Sequence, residues 1–210
     1  MITLLHIKIL WSTIKFLNSG KSQLTKCILQ RKDEIICPPV NQIIYCYGEY
    51  QDELFKELKD TVSGIVFHPG LPTEFGDGLR TPSLYILDDL MEEVVKSKEV
   101  HNLFVRASHH QNISVILLIQ NFFHKDMRKL TLNAKYVCIF KNPRDTGFIC
   151  TLGAQMNKRK RNHMMEDAFE QCIVRPHGYL FIDCAQQQDD NYRLRNNIFP
   201  DSDCIVFTKK

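Results

Sequence analysis

The sequence contains no run of the roughly 18 consecutive apolar residues that a membrane-spanning helix needs, although 44% of its 210 residues are hydrophobic. It has no C-x-x-C pair either, because its eight cysteines are dispersed among mostly apolar neighbours. This dispersion argues against zinc sites and disulfides, and it favours reduced thiols in a core. We therefore expect an intracellular protein of a reducing compartment, with no membrane partner.

A strong charge of either sign is also missing. The formal net charge is +3, with 24% charged residues. Bulk charge therefore neither requires nor excludes a nucleic-acid partner, and local clusters must decide. Length and composition are those of one globular domain that can bury a sizeable core.

The amino-terminal segment lacks the marks of a secretory leader. Residues 1–16 are apolar, but no basic stretch precedes them and no small-residue cleavage site follows them. We interpret residues 1–17 as a divergent N-terminal segment that could supply a first strand. Residues 18–200 are then the main domain, and residues 201–210 a C-terminal tail.

Short apolar runs alternate with segments of helical spacing, which predicts an α/β fold. We expect a mostly parallel central sheet flanked by helices on both faces. The sequence after Gln186 is polar and predicts no further element. Helices are predicted over residues 23–31, 54–62 and, as one helix, 94–105; strands are predicted over residues 42–47, 64–67, 84–88, 113–119, 135–140 and 178–183.

Two carboxylates, Asp88 and Asp89, follow four apolar β-formers. This places them at the carboxyl end of a buried strand, where ligands bind in open α/β sheets. We assign Asp88 to magnesium, through water and Ser22, and Asp89 to the general base that polarises an attacking water. The alternative is that the pair only begins a helix, whose dipole favours negative charge.

A phosphate-binding loop is indicated by Ser19, Gly20, Lys21 and Ser22. Such a loop needs glycines to turn its amides inward, a lysine for the β- and γ-phosphates and a hydroxyl for magnesium. The first glycine of the usual pattern would be residue 15, which is Lys15 here. A side chain there should obstruct the tight turn or change its geometry.

Polar and cationic residues elsewhere could complete a phosphoryl-transfer site. Gln120 and Asn121 end an apolar run, where an amide can bind the γ-phosphate or the lytic water, or can simply form a turn. An arginine donated from a neighbouring subunit could stabilise the charge that develops. The candidates for it are Arg106, Arg128 and Arg144. The adjacent pair His109 and His110 predicts no metal site, since neighbouring side chains point apart.

The densest basic run is Lys158, Arg159, Lys160 and Arg161. It could bind a phosphate backbone through charge alone, because no aromatic residue is interleaved for base stacking. It could also be a nuclear import signal or a solvated loop.

From residue 18 to about residue 200, the chain resembles the packaging ATPases of Polinton (Maverick) elements and adintoviruses. These belong to the FtsK/HerA superfamily of P-loop NTPases, which includes the poxvirus packaging ATPases. The segments that carry the resemblance are residues 43–51, 84–91, 108–115, 120–124, 140–145, 178–180 and 193–200.

The resemblance implies a RecA-like (ASCE) ATPase that forms a ring, usually hexameric. Such a ring uses ATP and Mg²⁺ to drive double-stranded DNA, without sequence preference, into a preformed capsid. Capsid proteins are then further partners, and the nucleus or a viral assembly site the expected location. The resemblance implies that Ser19, Gly20, Lys21 and Ser22 bind the nucleotide, Ser22 and Asp88 the metal, and that Asp89, Gln120 and Arg106 act in hydrolysis.

Lys15 keeps a second function open. A P-loop domain with a degenerate loop could be a decayed or domesticated copy that serves as a nucleotide-binding or interaction module. A small-molecule kinase also fits the loop, but it leaves Gln120 and the resembling segments unexplained.

Overall fold

The strand prediction is confirmed in a computed structural model, which describes residues 5–6, 20–76, 81–105, 112–119, 127–143 and 147–208. The segment 1–17 lies outside these residues, apart from a two-residue strand. The strands are β1 (Leu5–His6), β2 (Ile36–Cys37), β3 (Gln42–Tyr47), β4 (Ile65–Pro69), β5 (Ser83–Asp88), β6 (Ile113–Leu118), β7 (Tyr136–Phe140), β8 (Tyr179–Asp183), β9 (Leu194–Arg195) and β10 (Val206–Phe207).

Helices connect these strands. They are α1 (Lys21–Gln30), α2 (Lys32–Ile35), α3 (Asp52–Thr61), α4 (Met91–Lys96), α5 (Lys98–Val105), α6 (Arg128–Leu132), α7 (Gly147–Met156) and α8 (His163–Cys172), with a 3-10 helix at Asp190–Tyr192.

A parallel sheet of order β4-β3-β5-β6 forms the centre. Every residue of β5 and β6 is buried. Continuous apolar runs are typical of parallel strands that helices cover on both faces, which is why these strands could be predicted.

A second sheet, of order β10-β9-β8-β7, is antiparallel. The prediction that the sequence after Gln186 is only a polar tail is therefore wrong. Leu194 and Arg195 are both buried and pair with β8, and β10 returns along them. Strands of two residues are too short to produce a visible apolar period.

Two hydrophobic cores lie on opposite faces of the sheets. Alternate residues of β3, β5, β6, β7 and β8 point into one core or the other, as the two-residue period of a strand requires. One core is covered by α4 to α8 and the other by α1 and α3. Both cores take side chains from both sheets, so the sheets form one layer with helices on its two faces, as predicted.

The helix predicted after the carboxylates is in fact two helices. The Ser97 hydroxyl accepts a hydrogen bond from the Val100 amide at 3.1 Å, which caps α5, while the Ser97 amide closes α4 on Glu93 at 2.9 Å. Serine favours helix ends over helix interiors because its hydroxyl competes for backbone groups. The apolar spacing alone did not reveal this break.

No element was predicted for residues 147–172, where the structure forms α7 and α8. Two glycines, Gly147 and Gly153, weaken the helical pattern of α7. Gly153 is needed because α8 approaches closely: a Cβ there would lie 3.1 Å from the Asn162 side chain and 3.4 Å from the sulfur of Met165.

All eight cysteines are free, and Cys46, Cys138 and Cys172 are buried. Burial raises the pKa of Cys46 and of Cys172 to about 12, so both remain thiols at neutral pH. Within the described part of the chain, no helix has the length and apolar character needed to span a membrane. Those same residues contain no group of three or more potential metal-ligating His, Cys, Asp or Glu side chains.

Phe55 anchors α3 on the sheet. It is fully buried, and its ring centroid lies 5.3 Å from that of Tyr45, 4.9 Å from Tyr47, 5.0 Å from Tyr50 and 4.5 Å from Phe67. Aromatic pairs at these distances add to the burial of their surface.

We expect Phe55→Ala to lower the free energy of unfolding by about 3 to 5 kcal/mol, because it leaves a cavity under α3. Urea unfolding followed by circular dichroism measures this. Val174→Ala, at a side chain that is 81% exposed, is the control and should change stability by less than about 0.5 kcal/mol. A loss for Phe55→Ala as small as the control's would contradict the described packing.

Candidate functional site

Helix α1 runs parallel to α3 along one face of the sheet. Lys26 forms an ion pair with Glu57, and four residues later Gln30 donates a hydrogen bond to Thr61 at 3.1 Å. Because the two contacts are four residues apart on both helices, α1 and α3 are aligned without an axial shift. The amino-terminal end of α1 therefore lies beside that of α3. Because α3 follows β3, both ends lie at the carboxyl edge of the parallel sheet.

The predicted phosphate-binding residues Gly20, Lys21 and Ser22 lie at the start of α1. Gly20 precedes the helix with φ 90°, a left-handed conformation that favours glycine. The first helical hydrogen bond runs from the Leu24 amide to the Gly20 carbonyl at 2.8 Å, so the amides of residues 21–23 are not used within the helix. The Lys21 side chain is only 8% exposed, and the turn contains no acidic residue.

Gly20 also allows a close approach of two other segments. A Cβ at this position would lie 2.9 Å from the Cβ of His177 and 3.0 Å from the Phe140 ring. Residue 20 must therefore be glycine for steric as well as conformational reasons. His177, itself at φ 58°, lies next to the start of α1.

Asp88 is the last residue of β5 and is 8% exposed. The Tyr45 hydroxyl donates a hydrogen bond to Asp88 Oδ2 at 2.9 Å, and Gln51 Nε2 lies 3.4 Å from the same oxygen. Tyr45 belongs to β3, and Gln51 directly precedes α3. The carboxylate is thus held at the sheet edge where α1 and α3 begin.

The Tyr45 hydroxyl is protonated at neutral pH and can donate a hydrogen bond. Burial raises the pKa of its phenol well above the usual range, and the negative charge of Asp88 raises it further. A protonated hydroxyl fixed by packing can orient a carboxylate without competing with it for a proton.

Asp89 leaves the strand at φ 57°, in the left-handed region that glycine, asparagine and aspartate adopt more readily than other residues. Gly48, at the end of β3, contacts this turn directly. Its amide donates to the Asp88 carbonyl at 2.9 Å, and a Cβ at Gly48 would overlap the Asp89 carbonyl oxygen. The turn that carries both carboxylates therefore requires glycine at position 48.

Strand register brings the end of β6 to the same edge. Leu118 pairs with Asp88, which itself pairs with Tyr47 on β3. Gln120, the predicted sensor, follows two residues after Leu118 but lies outside the described residues. The same holds for Ser19, Lys15, Arg106, Arg144, His109 and His110. Arg128 is described, as the exposed first residue of α6.

Sequence reasoning missed Tyr45, Gly48 and Gln51 as site residues. They lie in a segment that carries the family resemblance, but their roles depend on which residue of β3 faces Asp88. That register follows from packing of the folded sheet.

Comparison with solved structures supports the fold. Six chains match. The cytoplasmic domain of the Thermomonospora curvata Type VII Secretion ATPase EccC is 13% identical, with a TM-score of 0.54 over 95% of this chain and 25% of that chain. A structure of Thermomonospora curvata EccC (ATPases 2 and 3) in complex with a signal sequence peptide is 12% identical, covering 66% of this chain and 31% of that chain. Its TM-score of 0.44 is too low to support an inference.

Comparison of sequences gives the relationship. Residues 76–172, somewhat less than half of the chain, match the family model described as Poxvirus A32 protein. The chain is related to the poxvirus packaging ATPases. Its fold is that of an FtsK/HerA-type P-loop ATPase, which confirms the recognition made from the sequence at this level.

The match has definite limits. It includes Asp88, Asp89 and the segment from α4 to α8, but it does not reach Gly20, Lys21 or Ser22. No curated protein matches the chain significantly. The chain spans about a quarter of the matched EccC chain. Membership of the Polinton group stays a prediction.

We expect Tyr45→Phe to raise the Mg²⁺ concentration needed for half-maximal ATP hydrolysis, or to lower the hydrolysis rate, by roughly 10- to 100-fold. This is the usual cost of losing a partner that orients a metal-binding group. The substitution keeps the ring packing and removes only the donor to Asp88. Tyr85→Phe is the matched control, since that buried hydroxyl accepts from the Gly76 amide at 2.8 Å instead. Equal effects of the two variants would contradict the orienting role.

We expect Gly48→Ala to lower the ATP hydrolysis rate by about 100-fold, the order of loss that a displacement of about 1 Å causes. The added methyl must push the Asp89 carbonyl away. Gly64→Ala is the control: Gly64 has φ 75°, but it lies at the opposite end of the sheet with only the Asn41 carbonyl oxygen near, at 3.7 Å. It should reduce stability and leave the rate unchanged; full activity of Gly48→Ala would refute the constraint.

Proposed function

We propose that this chain binds ATP and Mg²⁺ at the carboxyl edge of its parallel sheet and hydrolyses ATP to move double-stranded DNA into a capsid. Three findings support the proposal: the relationship to poxvirus packaging ATPases, the P-loop ATPase fold, and the start of α1 at the same sheet edge as Asp88. The relationship suggests genome packaging. DNA translocation is the finer step that we add.

The observation that carries the proposal is the position of Lys21. It is a mostly buried cation at the first residue of α1, where the helix dipole is positive and acidic residues are normally favoured. A lysine at this position, next to amides that take no part in the helical hydrogen-bond ladder, is the arrangement with which a phosphate-binding loop meets a polyphosphate. The amides can donate to the phosphate oxygens, and the ammonium group meets their charge.

The donor set at this edge fits the nucleotide and its metal. Ser19, Gly20 and Lys21 would contact the phosphates, while the Ser22 hydroxyl and the Asp88 carboxylate would hold Mg²⁺, which prefers oxygen ligands. When bound, Mg²⁺ neutralises charge on the β- and γ-phosphates. Tyr45 and Gln51 keep Asp88 facing this position.

The remaining roles are assigned to residues around the γ-phosphate. Asp89 acts as the general base that polarises the attacking water, and Gln120 binds that water or the γ-phosphate. Arg106 is our candidate for the arginine donated across the interface of a homo-oligomeric ring. A ring also gives duplex DNA a path that depends on backbone charge and ignores sequence.

We expect Lys21→Ala to abolish ATP hydrolysis and to weaken binding of a fluorescent ATP analogue, because the phosphates lose their nearest cation. Lys26→Ala, one turn further along α1 and paired with Glu57, is the matched control and should retain both activities. Phosphate release with and without duplex DNA is the measurement, with DNA expected to stimulate the unmodified chain. Hydrolysis that survives Lys21→Ala would rule out this assignment.

The alternative, a non-catalytic module, is favoured by Lys15 alone. It predicts that the unmodified chain binds ATP weakly and that Lys15→Gly restores tight binding. Equal, tight binding by the two versions would exclude the module and leave the ATPase.

A further inference from the structure

The turn between α7 and α8 carries the basic run found in the sequence. Lys158, Arg159 and Lys160, which we name the basic tip, are all exposed. No acidic residue occurs anywhere between positions 146 and 165. The basic tip is therefore a local concentration of positive charge on a chain whose net charge is only +3.

Arg161, although exposed, is not counted in the basic tip because its charge is paired with Glu166. Its Nε lies 2.9 Å from both carboxylate oxygens of Glu166, and its Nη2 lies 2.6 Å from Oε2. The guanidinium lowers the pKa of Glu166, so the pair stays ionised and neutral overall. The three cations of the basic tip make no ion pair with any carboxylate in the described parts of the chain.

The basic tip has a fixed backbone. The Arg159 amide donates to the Ala154 carbonyl at 2.7 Å, and the Lys160 amide donates to the Asn157 carbonyl at 2.8 Å. Asn162 caps α8 by accepting from the Met165 amide at 3.2 Å. The cations are thus presented by a folded turn between two helices that pack on a core.

Two residues of the basic tip have unfavourable backbone angles. Lys158 has φ 49° and Arg159 has φ 65°. Glycine or asparagine would adopt this left-handed conformation more readily. Lysine and arginine occupy these two positions although other residues would favour the backbone conformation. This indicates that their charge has a role other than forming the turn.

The surroundings favour a phosphate backbone over a protein receptor as partner. The basic tip is a folded turn held by backbone hydrogen bonds, whereas a receptor groove binds an extended segment. A rigid array of exposed cations suits the regularly spaced phosphates of a duplex. None of the three is an aromatic residue that would offer a stacking platform for unpaired bases.

We infer that the basic tip, Lys158, Arg159 and Lys160, contacts the phosphate backbone of double-stranded DNA. This inference rests on the proposed function, since it names the surface through which the proposed motor would hold its DNA. It adds a site on the α7–α8 hairpin, apart from the nucleotide edge of the sheet.

The test is the double variant Lys158→Asn with Arg159→Asn. Affinity for a fluorescein-labelled 30-base-pair duplex is measured by anisotropy over a range of salt concentrations. Removing two phosphate contacts should reduce the slope of log affinity against log salt by roughly 1.8. The same variant should unfold at a higher temperature than the unmodified chain, because asparagine tolerates φ above zero. Greater stability with weaker DNA binding is a combination that a merely structural turn would not give.

A matched control removes the same charge elsewhere. Lys56→Gln with Lys96→Gln changes exposed lysines on α3 and α4, and the salt slope should stay that of the unmodified chain. Lys160→Gln, at a residue without left-handed strain, should reduce the slope by about 0.9. Basal ATP hydrolysis should be unchanged in all three variants, while its stimulation by DNA should fall only in the two variants of the basic tip.

The outcomes separate this inference from the proposed function. If the unmodified chain binds DNA and the variants of the basic tip keep its slope, the inference is wrong and the proposed function stands. If these variants keep the salt slope of DNA binding but no longer accumulate in the nucleus of a cell, the basic run is a nuclear import signal instead. If the unmodified chain binds no DNA at any salt concentration, both the inference and the DNA part of the proposed function are overturned.

Discussion

The hydrogen bond from Tyr45 to Asp88 is the interaction on which the arrangement of the candidate site depends. It joins two parallel strands at their carboxyl ends, and it can form only in the register that pairs Tyr47 with Asp88. Phe55 packs against the Tyr45 ring and thereby joins α3 to the same point. Since α1 is aligned with α3, the position of the predicted phosphate-binding turn also follows from this packing. A register shift of one residue between β3 and β5 would turn Tyr45 to the other face of the sheet and disrupt the arrangement of the candidate site.

Charge at this edge is arranged in two opposed halves. The start of α1 is positive, through its dipole and Lys21, whereas the end of β5 carries two carboxylates. Lys21 stands at the positive end of the helix dipole, and Asp89 has a left-handed backbone that directs the chain out of the strand. A ligand that is anionic at its phosphates and carries a divalent cation is complementary to both halves at once. Magnesium nucleotides are ligands of that kind.

The sequence was sufficient to predict strands that are buried on both faces. It was not sufficient to predict features that depend on a single contact in the folded chain. The apolar runs of β5 and β6 predicted both strands, and the carboxylates were expected at the strand end, because a strand covered on both faces leaves a continuous apolar signal. The break at Ser97 depends on one hydroxyl, and the strands β9 and β10 are too short to leave a period. The role of Tyr45 depends on strand register, and the role of Gly48 depends on the lack of space for a methyl group beside the Asp89 carbonyl. Neither can be predicted from a local sequence pattern.

The α8 helix connects the two surfaces that the proposed function would use. It begins just after the basic tip, and its ten residues span about 15 Å. Beyond it the chain turns at His177, which lies against Gly20, and the Gly178 amide donates to the Arg175 carbonyl at 3.0 Å. A Cβ at Gly178 would overlap the carbonyl oxygen of Cys172, so this turn is packed directly on the end of the helix. In the proposed motor, a single packed helix would therefore lie between the DNA contact at the basic tip and the predicted phosphate-binding turn.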